Sequence, residues 1–252
     1  MNLYSKLQQR AAQGKPVRVG MIGAGKFGSM YLSQVPRTPG IHMVGIADLS
    51  PDRAKTALRN VGWKDEAFAA SSLEQAAKQG NTAIIDDGMA LITSPHIDII
   101  IDSTGNPAIG IAHVLACCEH KKHIVMVNVE ADVLCGKYLS DLAKKNNVIY
   151  SMAYGDQPAL IMEQIEWAKL NGFLVIGAGK GTKYHPSFEY STPDTVWKNY
   201  GMTDEQAKKA GMNPKMFNSF TTGDKSSIEM AAVGIERPGR RIAQPGGIVE
   251  IR

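Results

Sequence analysis

Apolar and polar positions alternate along residues 1–152 in a regular series of short strands and amphipathic helices. Apolar runs predict strands at residues 17–22, 42–47, 82–85, 97–102, 123–128 and 148–150. After a surface helix at 3–13, helical spacing predicts helices at residues 51–60, 73–79, 108–120 and 136–145. Strands that alternate with helices are typical of a parallel sheet covered on both faces. The expected fold is therefore a doubly wound α/β domain of the Rossmann type.

The pattern changes after residue 152. A helix is predicted at 158–171, a strand at 173–178 and a polar loop at 179–193. Helical pieces are predicted near residues 195–200, 204–210 and 225–233. Because one strand cannot form a sheet, residues 153–233 are interpreted as a partial α+β substrate and oligomerisation domain. We expect apolar surface near residues 173–175 to be covered in a homo-oligomer, and residues 234–252 to form an irregular tail.

The composition argues against a membrane-spanning, secreted or nucleic-acid-binding protein. The chain has 252 residues, enough for one domain with part of a second, and no apolar run approaches the length of a membrane span. Its N-terminus lacks the apolar segment of a secretory signal, and three cysteines without CxxC spacing predict neither disulfides nor zinc. A cytoplasmic protein is expected. The net charge of +4 is mild and scattered, which favours a small anionic or phosphorylated ligand over nucleic acid or membrane.

The segment VRVGMIGAGKFGSMYL carries the main chemical signal. Gly23, Gly25 and Gly28 have GxGxxG spacing between a predicted strand and a predicted helix. In dinucleotide-binding folds these glycines permit the tight turn, the approach of the pyrophosphate and close helix packing. The helix N-terminus then favours the negative charge. We therefore assign this segment, with Lys26 and Phe27, to a cofactor site.

Polar residues at the ends of later strands extend this site. Asp48 ends the second strand, where a carboxylate would bind the adenosine ribose and favour NAD. Arg53 follows closely and could hold the 2′-phosphate of NADP, so both coenzymes remain open. Ser103, Thr104 and Gly105 end the fourth strand. They are interpreted as nicotinamide-ribose contacts, with a simple turn as the alternative.

The segment VMVNVEADV raises a further question, because an apolar strand is followed directly by two carboxylates. At a strand end Glu130 and Asp132 would face the nicotinamide, where a carboxylate can bind a divalent cation. A helix N-terminal acid is the alternative. Asp156 is either a helix cap or a ligand-facing acid. Lys180 and its neighbour three positions on, Lys183, lie on a glycine-flanked loop that would attract anions.

Long motifs carry a resemblance to a known family. The segments VNVEADVLCG, YSMAYGDQPALI, GKGTKY, STPDTVW and GMNPKMFNSFTTGDKSSIEMAAV, with the glycine motif, resemble homoserine-dehydrogenase-like oxidoreductases. The greatest similarity is to the 1-deoxy-D-xylulose 5-phosphate reductoisomerase-like enzymes. The resemblance covers residues 1–233, and those enzymes are considerably longer. The chain therefore resembles a member shortened at its C-terminus.

This resemblance implies an activity. Such enzymes use NADPH to convert 1-deoxy-D-xylulose 5-phosphate to 2-C-methyl-D-erythritol 4-phosphate, in isoprenoid precursor synthesis. The implied roles are Mg²⁺ or Mn²⁺ binding by Glu130 and Asp156, and proton transfer or anion binding by Lys180 and Lys183. Substrate phosphate contacts are implied for Asn218, Ser219 and Lys225, although a turn with a helix cap explains them equally well. Two alternatives stay open: a dehydrogenase of a small hydroxy acid, aldehyde or sugar, and a non-catalytic dinucleotide-binding fragment.

Overall fold

A computed structural model describes residues 2–181, 184–235 and 249–250. The chain divides into two compact units, which we call unit 1 (residues 1–153) and unit 2 (residues 154–252). No helix among the described residues is both long and apolar enough to cross a membrane.

Unit 1 contains a six-stranded parallel sheet in the order β3-β2-β1-β4-β5-β6. Its strands are β1 (Val17–Ile22), β2 (Ile41–Ala47), β3 (Ala83–Ile85), β4 (Ile99–Asp102), β5 (His123–Met126) and β6 (Tyr150–Met152). The chain moves from β1 to β2 on one side and returns to β4 on the other. This arrangement confirms the predicted doubly wound Rossmann fold.

Seven α-helices are described in unit 1, and apolar side chains cover both faces of its sheet. The helices are α1 (Leu3–Ala12), α2 (Lys26–Leu32), α3 (Pro51–Asn60), α4 (Leu73–Gln79), α5 (Gly88–Thr93), α6 (Pro107–Glu119) and α7 (Val129–Lys145). Successive strand residues pack into opposite cores, as Met21 and Ile22 do in β1, or Ile101 and Ile100 in β4. This alternation follows from the two-residue period of a strand.

The register of the sheet brings the carboxyl ends of its central strands together. Ile22 at the end of β1 pairs with Ala47 in β2 and with Asp102 in β4. Asp102 in turn pairs with Met126 at the end of β5. The loops that leave these strands therefore start along one edge, on both sides of the point where the strand order reverses. Ligands of open α/β sheets bind at such a point.

Several predicted boundaries in unit 1 are wrong. The fifth strand ends at Met126 rather than at residue 128, because Asn128 caps α7 by accepting a hydrogen bond from Ala131 N at 3.2 Å. Helix α7 therefore begins at Val129, well before the predicted start at residue 136. The sixth strand begins two residues later than predicted, because Val148 N donates to Ala143 O in the turn that ends α7. Short helix α5 was not predicted at all.

Unit 2 is mainly helical in the described residues. Its elements are α8 (Gln157–Leu170), β7 (Gly177–Ala178), α9 (Val196–Asn199), α10 (Asp204–Lys209), α11 (Pro214–Thr221), α12 (Asp224–Ile235) and β8 (Val249–Glu250). Strands β7 and β8 pair in antiparallel fashion. Residues Ile161 and Ile165 of α8 pack with Met230 and Val233 of α12 in a small core. A second cluster centres on Val196 and Trp197.

Several predictions for unit 2 need correction. The strand expected at residues 173–178 is reduced to Gly177–Ala178, because Phe173 N donates to Ala168 O and closes the end of α8. The predicted polar loop contains a 3-10 turn at Pro186–Tyr190, and α11 was not predicted. Within the predicted tail, Val249–Glu250 form β8. Residues 236–248 and 251–252 of that tail lie outside the described residues.

Candidate functional site

The glycine loop after β1 has the geometry that a dinucleotide requires. Gly23 has a φ of +96°, and a Cβ there would lie 2.8 Å from the Ser103 carbonyl oxygen. A Cβ on Gly28 would lie 2.7 Å from the Gly23 carbonyl oxygen. In contrast, a Cβ on Gly25 would meet no atom within 4 Å. Packing therefore requires two of the glycines, whereas Gly25 leaves open space where a pyrophosphate would approach the backbone.

Helix α2 begins beside this open space. Gly25 is its N-cap and provides no side chain to accept from the first-turn N–H groups. Uncapped N–H groups and the helix dipole favour an anion at this end of a helix. Lys26 and Phe27 are the first two residues of α2; Lys26 is exposed and Phe27 is half-buried. The predicted cofactor residues of this segment therefore lie in the loop before α2 and in its first turn.

Asp48, at the end of β2, is already engaged by the protein. Its Oδ2 accepts from Ala24 N at 2.9 Å, and its Oδ1 accepts from Ser50 N at 2.9 Å and from Arg53 Nη2 at 2.6 Å. The side chain of Asp48 is 2% exposed, whereas that of Arg53 is 64% exposed. The carboxylate therefore holds the glycine loop and Arg53 together, and the guanidinium is the more accessible charge.

The loop after β4 lies directly on the glycine loop. The Ser103 hydroxyl donates toward two carbonyl oxygens: its Oγ is 2.6 Å from Gly23 O and 3.0 Å from Ile22 O. Thr104 Oγ1 donates to Asp102 Oδ1 at 2.9 Å. Both hydroxyl hydrogens thus bind the protein itself, although the oxygens can still accept. Gly105 has a φ of +67°, and a Cβ there would meet nothing within 4 Å. Contact with the nicotinamide ribose remains a prediction.

A buried carboxylate–imidazole pair lies beneath that loop, and sequence reasoning missed it. Asp102 Oδ2 is 2.6 Å from His113 Nδ1, which projects from α6. Asp102 is completely buried and His113 nearly so. A signal was present, since a carboxylate at a strand end and a histidine inside an apolar helix must both find polar partners when buried.

Glu130 and Asp132 lie in the first turn of α7 rather than at a strand end. Asp132 is buried, and its Oδ1 accepts from Tyr150 OH at 2.7 Å. Asp132 is therefore the helix N-terminal acid that the sequence left open as the alternative, and it does not face a ligand. Glu130 is half-buried. It starts a helix that begins just after β5, where the dipole favours an acid. Its role as a metal ligand or catalytic group remains a prediction.

In unit 2, Asp156 and Lys180 have protein partners. Asp156 is the N-cap of α8 and accepts from Gln157 N at 2.9 Å. Lys180 Nζ donates to Glu229 Oε2 of α12, and their side chains are only 19% and 3% exposed. Glu229 was not singled out from the sequence. An acid inside an apolar stretch of α12 was the available signal. Lys183 lies outside the described residues.

The predicted phosphate contacts lie on α11 and α12, not in a turn. Asn218 is half-buried, and its Oδ1 has no hydrogen-bond partner. Ser219 Oγ donates to Met216 O at 2.7 Å, so its hydrogen is not available to a phosphate. Lys225 lies in the first turn of α12. Helix α11 is capped by Asn213, whose Oδ1 accepts from Lys215 N.

Comparison with known families decides the class of protein. Residues 17–154, more than half of the chain, match the GFO/IDH/MocA family model, described as "Oxidoreductase family, NAD-binding Rossmann fold". The chain belongs to this oxidoreductase family. Residues 155–239 match a second model, described as "Oxidoreductase DRL, catalytic domain". The predictions of an NAD(P)-dependent oxidoreductase and of a dinucleotide-binding Rossmann domain are thereby confirmed. No curated protein matches the chain in sequence.

Solved structures resemble this GFO/IDH/MocA oxidoreductase to different degrees, and the first one described here shares its fold. A homoserine dehydrogenase from Thiobacillus denitrificans has 17% identity and a TM-score of 0.56, over 87% of this chain and 49% of its own. A scyllo-inositol dehydrogenase from Lactobacillus casei, with bound NAD(H) and scyllo-inositol, has 11% identity and a TM-score of 0.42, over 62% and 42%. An NAD binding oxidoreductase from Klebsiella pneumoniae has 16% identity and a TM-score of 0.41, over 60% of this chain and 38% of its own. The chain thus spans less than half the length of each.

The predicted metal ligands were tested against the geometry of this oxidoreductase. Among residues 2–181, 184–235 and 249–250, no group of three or more His, Cys, Asp or Glu side chains could hold a metal ion. Glu130 belongs to unit 1 and Asp156 to unit 2. Metal binding by Glu130 and Asp156 therefore stays a prediction, and we assign no step to a metal.

Proposed function

We propose that this protein is an NADP(H)-dependent reductase of a small phosphorylated carbonyl compound. The specific reaction proposed is the conversion of 1-deoxy-D-xylulose 5-phosphate to 2-C-methyl-D-erythritol 4-phosphate. The observation that carries the proposal is the order of the two family matches. An NAD-binding domain is followed at once by a DRL catalytic domain, in the region where the quoted motifs resemble reductoisomerase-like enzymes.

The conversion first requires a rearrangement of the substrate's carbon skeleton that forms an aldehyde. A bound nicotinamide would then supply a hydride to the aldehyde carbon, and the aldehyde oxygen would need a proton. The residues of this chain must therefore bind the cofactor, place the substrate and deliver that proton. In unit 2, Lys180 is the described cation of the predicted catalytic set, and it is held by a buried carboxylate. A lysine fixed in this way is a suitable proton donor or anion contact. Lys225, on the same helix as Glu229, adds a further cation for a phosphorylated substrate.

The charges at the end of β2 support NADP rather than NAD. Asp48 has the position of a ribose-binding acid, but the three protein donors described above occupy both of its oxygens. Arg53 neutralises the carboxylate and keeps most of its own surface exposed. A guanidinium binds a phosphate well, because its donors match the phosphate oxygens. An accessible Arg53 beside a masked Asp48 therefore supports a 2′-phosphate more than a 2′-hydroxyl.

The test is an assay of NADPH oxidation with 1-deoxy-D-xylulose 5-phosphate, with Mg²⁺ or Mn²⁺ and with a chelator. We expect substrate-dependent oxidation in the wild-type chain. We expect Glu130→Gln to lower turnover about 100-fold or more while NADPH affinity is kept, as for the loss of one positioned charged group. Glu119→Gln, which changes an exposed acid of α6, is the matched control. Wild-type turnover in Glu130→Gln would mean that Glu130 is only a helix-terminal acid.

A plain dehydrogenase of a small hydroxy acid, aldehyde or sugar is the second candidate. The fold likeness to a homoserine dehydrogenase, which covers 87% of this chain, supports it. The same assay, run in the direction of NAD(P)⁺ reduction with homoserine and simple sugars, distinguishes the two. Oxidation of one of these substrates, with no reaction on the deoxyxylulose phosphate, would replace the first proposal by the second.

A further inference from the structure

The carboxyl end of β4 contains a hydrogen-bond network that the proposed reaction does not use. Asp102 binds His113 of α6 through Oδ2, and binds both N and Oγ1 of Thr104 through Oδ1, at 3.1 and 2.9 Å. Asn128 Nδ2 in turn donates to Thr104 Oγ1 at 3.4 Å and to Asn106 O at 2.7 Å. The network therefore links a strand end, helix α6, the start of α7 and the loop at residues 103–106.

Packing around this network is tight. A Cβ on Gly110 of α6 would lie 2.7 Å from Asn128 Nδ2, so only a glycine lets α6 approach Asn128 this closely. Gly88, the first residue of α5, faces the other side of His113: a Cβ there would lie 3.4 Å from Nε2. A buried polar group of this kind is costly unless its partners are well placed. The geometry of the loop is thus determined by the network rather than by solvent.

The strand order of the sheet indicates which half of a dinucleotide would lie near the network. The glycine loop follows β1, and Asp48 with Arg53 follows β2, which is the adenosine side of the strand-order reversal. Strand β4 lies on the opposite side of β1, so the loop at residues 103–106 borders the nicotinamide half. Ser103 connects this loop to the glycine loop through its bond to Gly23 O.

We propose that the Asp102–His113 pair is a positioning device for the nicotinamide half of the bound dinucleotide. The pair fixes the backbone N–H and the hydroxyl of Thr104, and so sets the shape of the loop that borders this half. Neither Asp102 nor His113 needs to touch the cofactor. The inference rests on cofactor binding by unit 1 and not on the identity of the substrate.

The test compares two ligands that share the adenosine half. Dissociation constants are measured for ADP and for NADPH or NADH, whichever the wild-type chain binds more tightly. In Asp102→Asn and His113→Leu we expect the dinucleotide affinity to fall about tenfold, the size of one charge-assisted hydrogen bond, while ADP affinity changes less than about twofold. His113→Asn, which keeps a donor near the Nδ1 position, should recover most of the dinucleotide affinity.

Two further variants keep the test decisive if the buried changes prevent folding. Thr104→Val removes only the hydroxyl from a half-buried position, and the same selective loss is expected. Asp98→Asn removes a carboxylate from the opposite end of β4 and should change neither affinity. Equal weakening of ADP and dinucleotide, or no weakening of either in Thr104→Val, would overturn the proposal. A wild-type chain that binds ADP and no dinucleotide would overturn it together with the cofactor assignment.

Discussion

Replacement of Arg53 by alanine is expected to shift the coenzyme preference from NADPH toward NADH. In the present structure the Arg53 guanidinium is 2.6 Å from Asp48 Oδ1 and is largely exposed. Arg53→Ala would remove the cation nearest to the predicted 2′-phosphate position. It would also expose the negative charge of Asp48 to that phosphate. Both effects weaken NADPH, whereas the hydroxyl of NADH would gain a carboxylate acceptor.

The size of the effect follows from these contacts. A hydrogen bond to a charged group contributes about 1.5–3 kcal/mol, and an exposed position lies at the low end because water screens it. We therefore expect a loss of about 1.5 kcal/mol, or roughly tenfold in the Kd of NADPH. The Kd of NADH should change by less than about threefold. Folding should be little affected, because two backbone donors, Ala24 N and Ser50 N, still satisfy Asp48.

The assay is titration of protein fluorescence with NADPH and NADH at two salt concentrations. Higher salt should reduce the NADPH preference of the wild-type chain, because the contact is between exposed charges. Arg53→Lys, which keeps the charge without the planar donors, should retain part of the preference. Equal loss of both coenzymes in Arg53→Ala would refute the reasoning, since it would mean that Arg53 supports the loop rather than the 2′-phosphate.

Three other predictions concern stability and assembly. Lys180→Met should lower the free energy of unfolding by about 3 kcal/mol because it leaves Glu229 buried without its partner, and adding Glu229→Gln should restore at least half in urea titrations. The Arg18 hydrogen bond lowers the pKa of Asp98, so this pair stabilises above the ordinary carboxyl pKa and its contribution is lost as pH falls. Asp98→Asn should cost about 0.5–1 kcal/mol at pH 7 and progressively less as the pH falls through the lowered pKa of Asp98; a cost that does not change with pH would contradict this. Leu174, 83% exposed, should lie in a subunit contact, so light scattering should show an oligomer that Leu174→Glu dissociates; a wild-type monomer at micromolar concentration would contradict it.

Much of unit 1 was predictable because its signals are local. The predicted limits of β1, α3 and α4 agree with the structure. Strand β1 is a short apolar run, α3 has a proline at its first position, and α4 has a Ser72 cap. The glycine motif was equally clear, because its spacing and the strand before it are both visible in the sequence. In such segments local propensity and tertiary packing favour the same structure.

The remainder depended on contacts between distant residues. In the sequence, Asn128 follows an apolar run and is interpreted as part of the strand. In the structure its side-chain amide caps α7 and binds the carbonyl oxygen of Asn106, 22 positions earlier. The role of Glu229 as an ion-pair partner is visible only in the folded chain, where Lys180, 49 positions away in the sequence, lies beside it. A propensity or a spacing cannot reveal such pairs. This is why the acids at 130 and 132 were assigned to a strand end when they begin a helix.

The central claim is that unit 1 binds a dinucleotide at the glycine loop, and Gly25→Val tests it most directly. Gly25 has a φ of −72° and room for a side chain, so valine should not disturb folding. It would, however, place a branched side chain where the pyrophosphate must approach the backbone. We expect an unchanged thermal unfolding midpoint and a loss of NADPH and NADH affinity of about 100-fold or more, since several backbone contacts to the diphosphate would be lost together. Wild-type affinity in a folded Gly25→Val protein would contradict the claim.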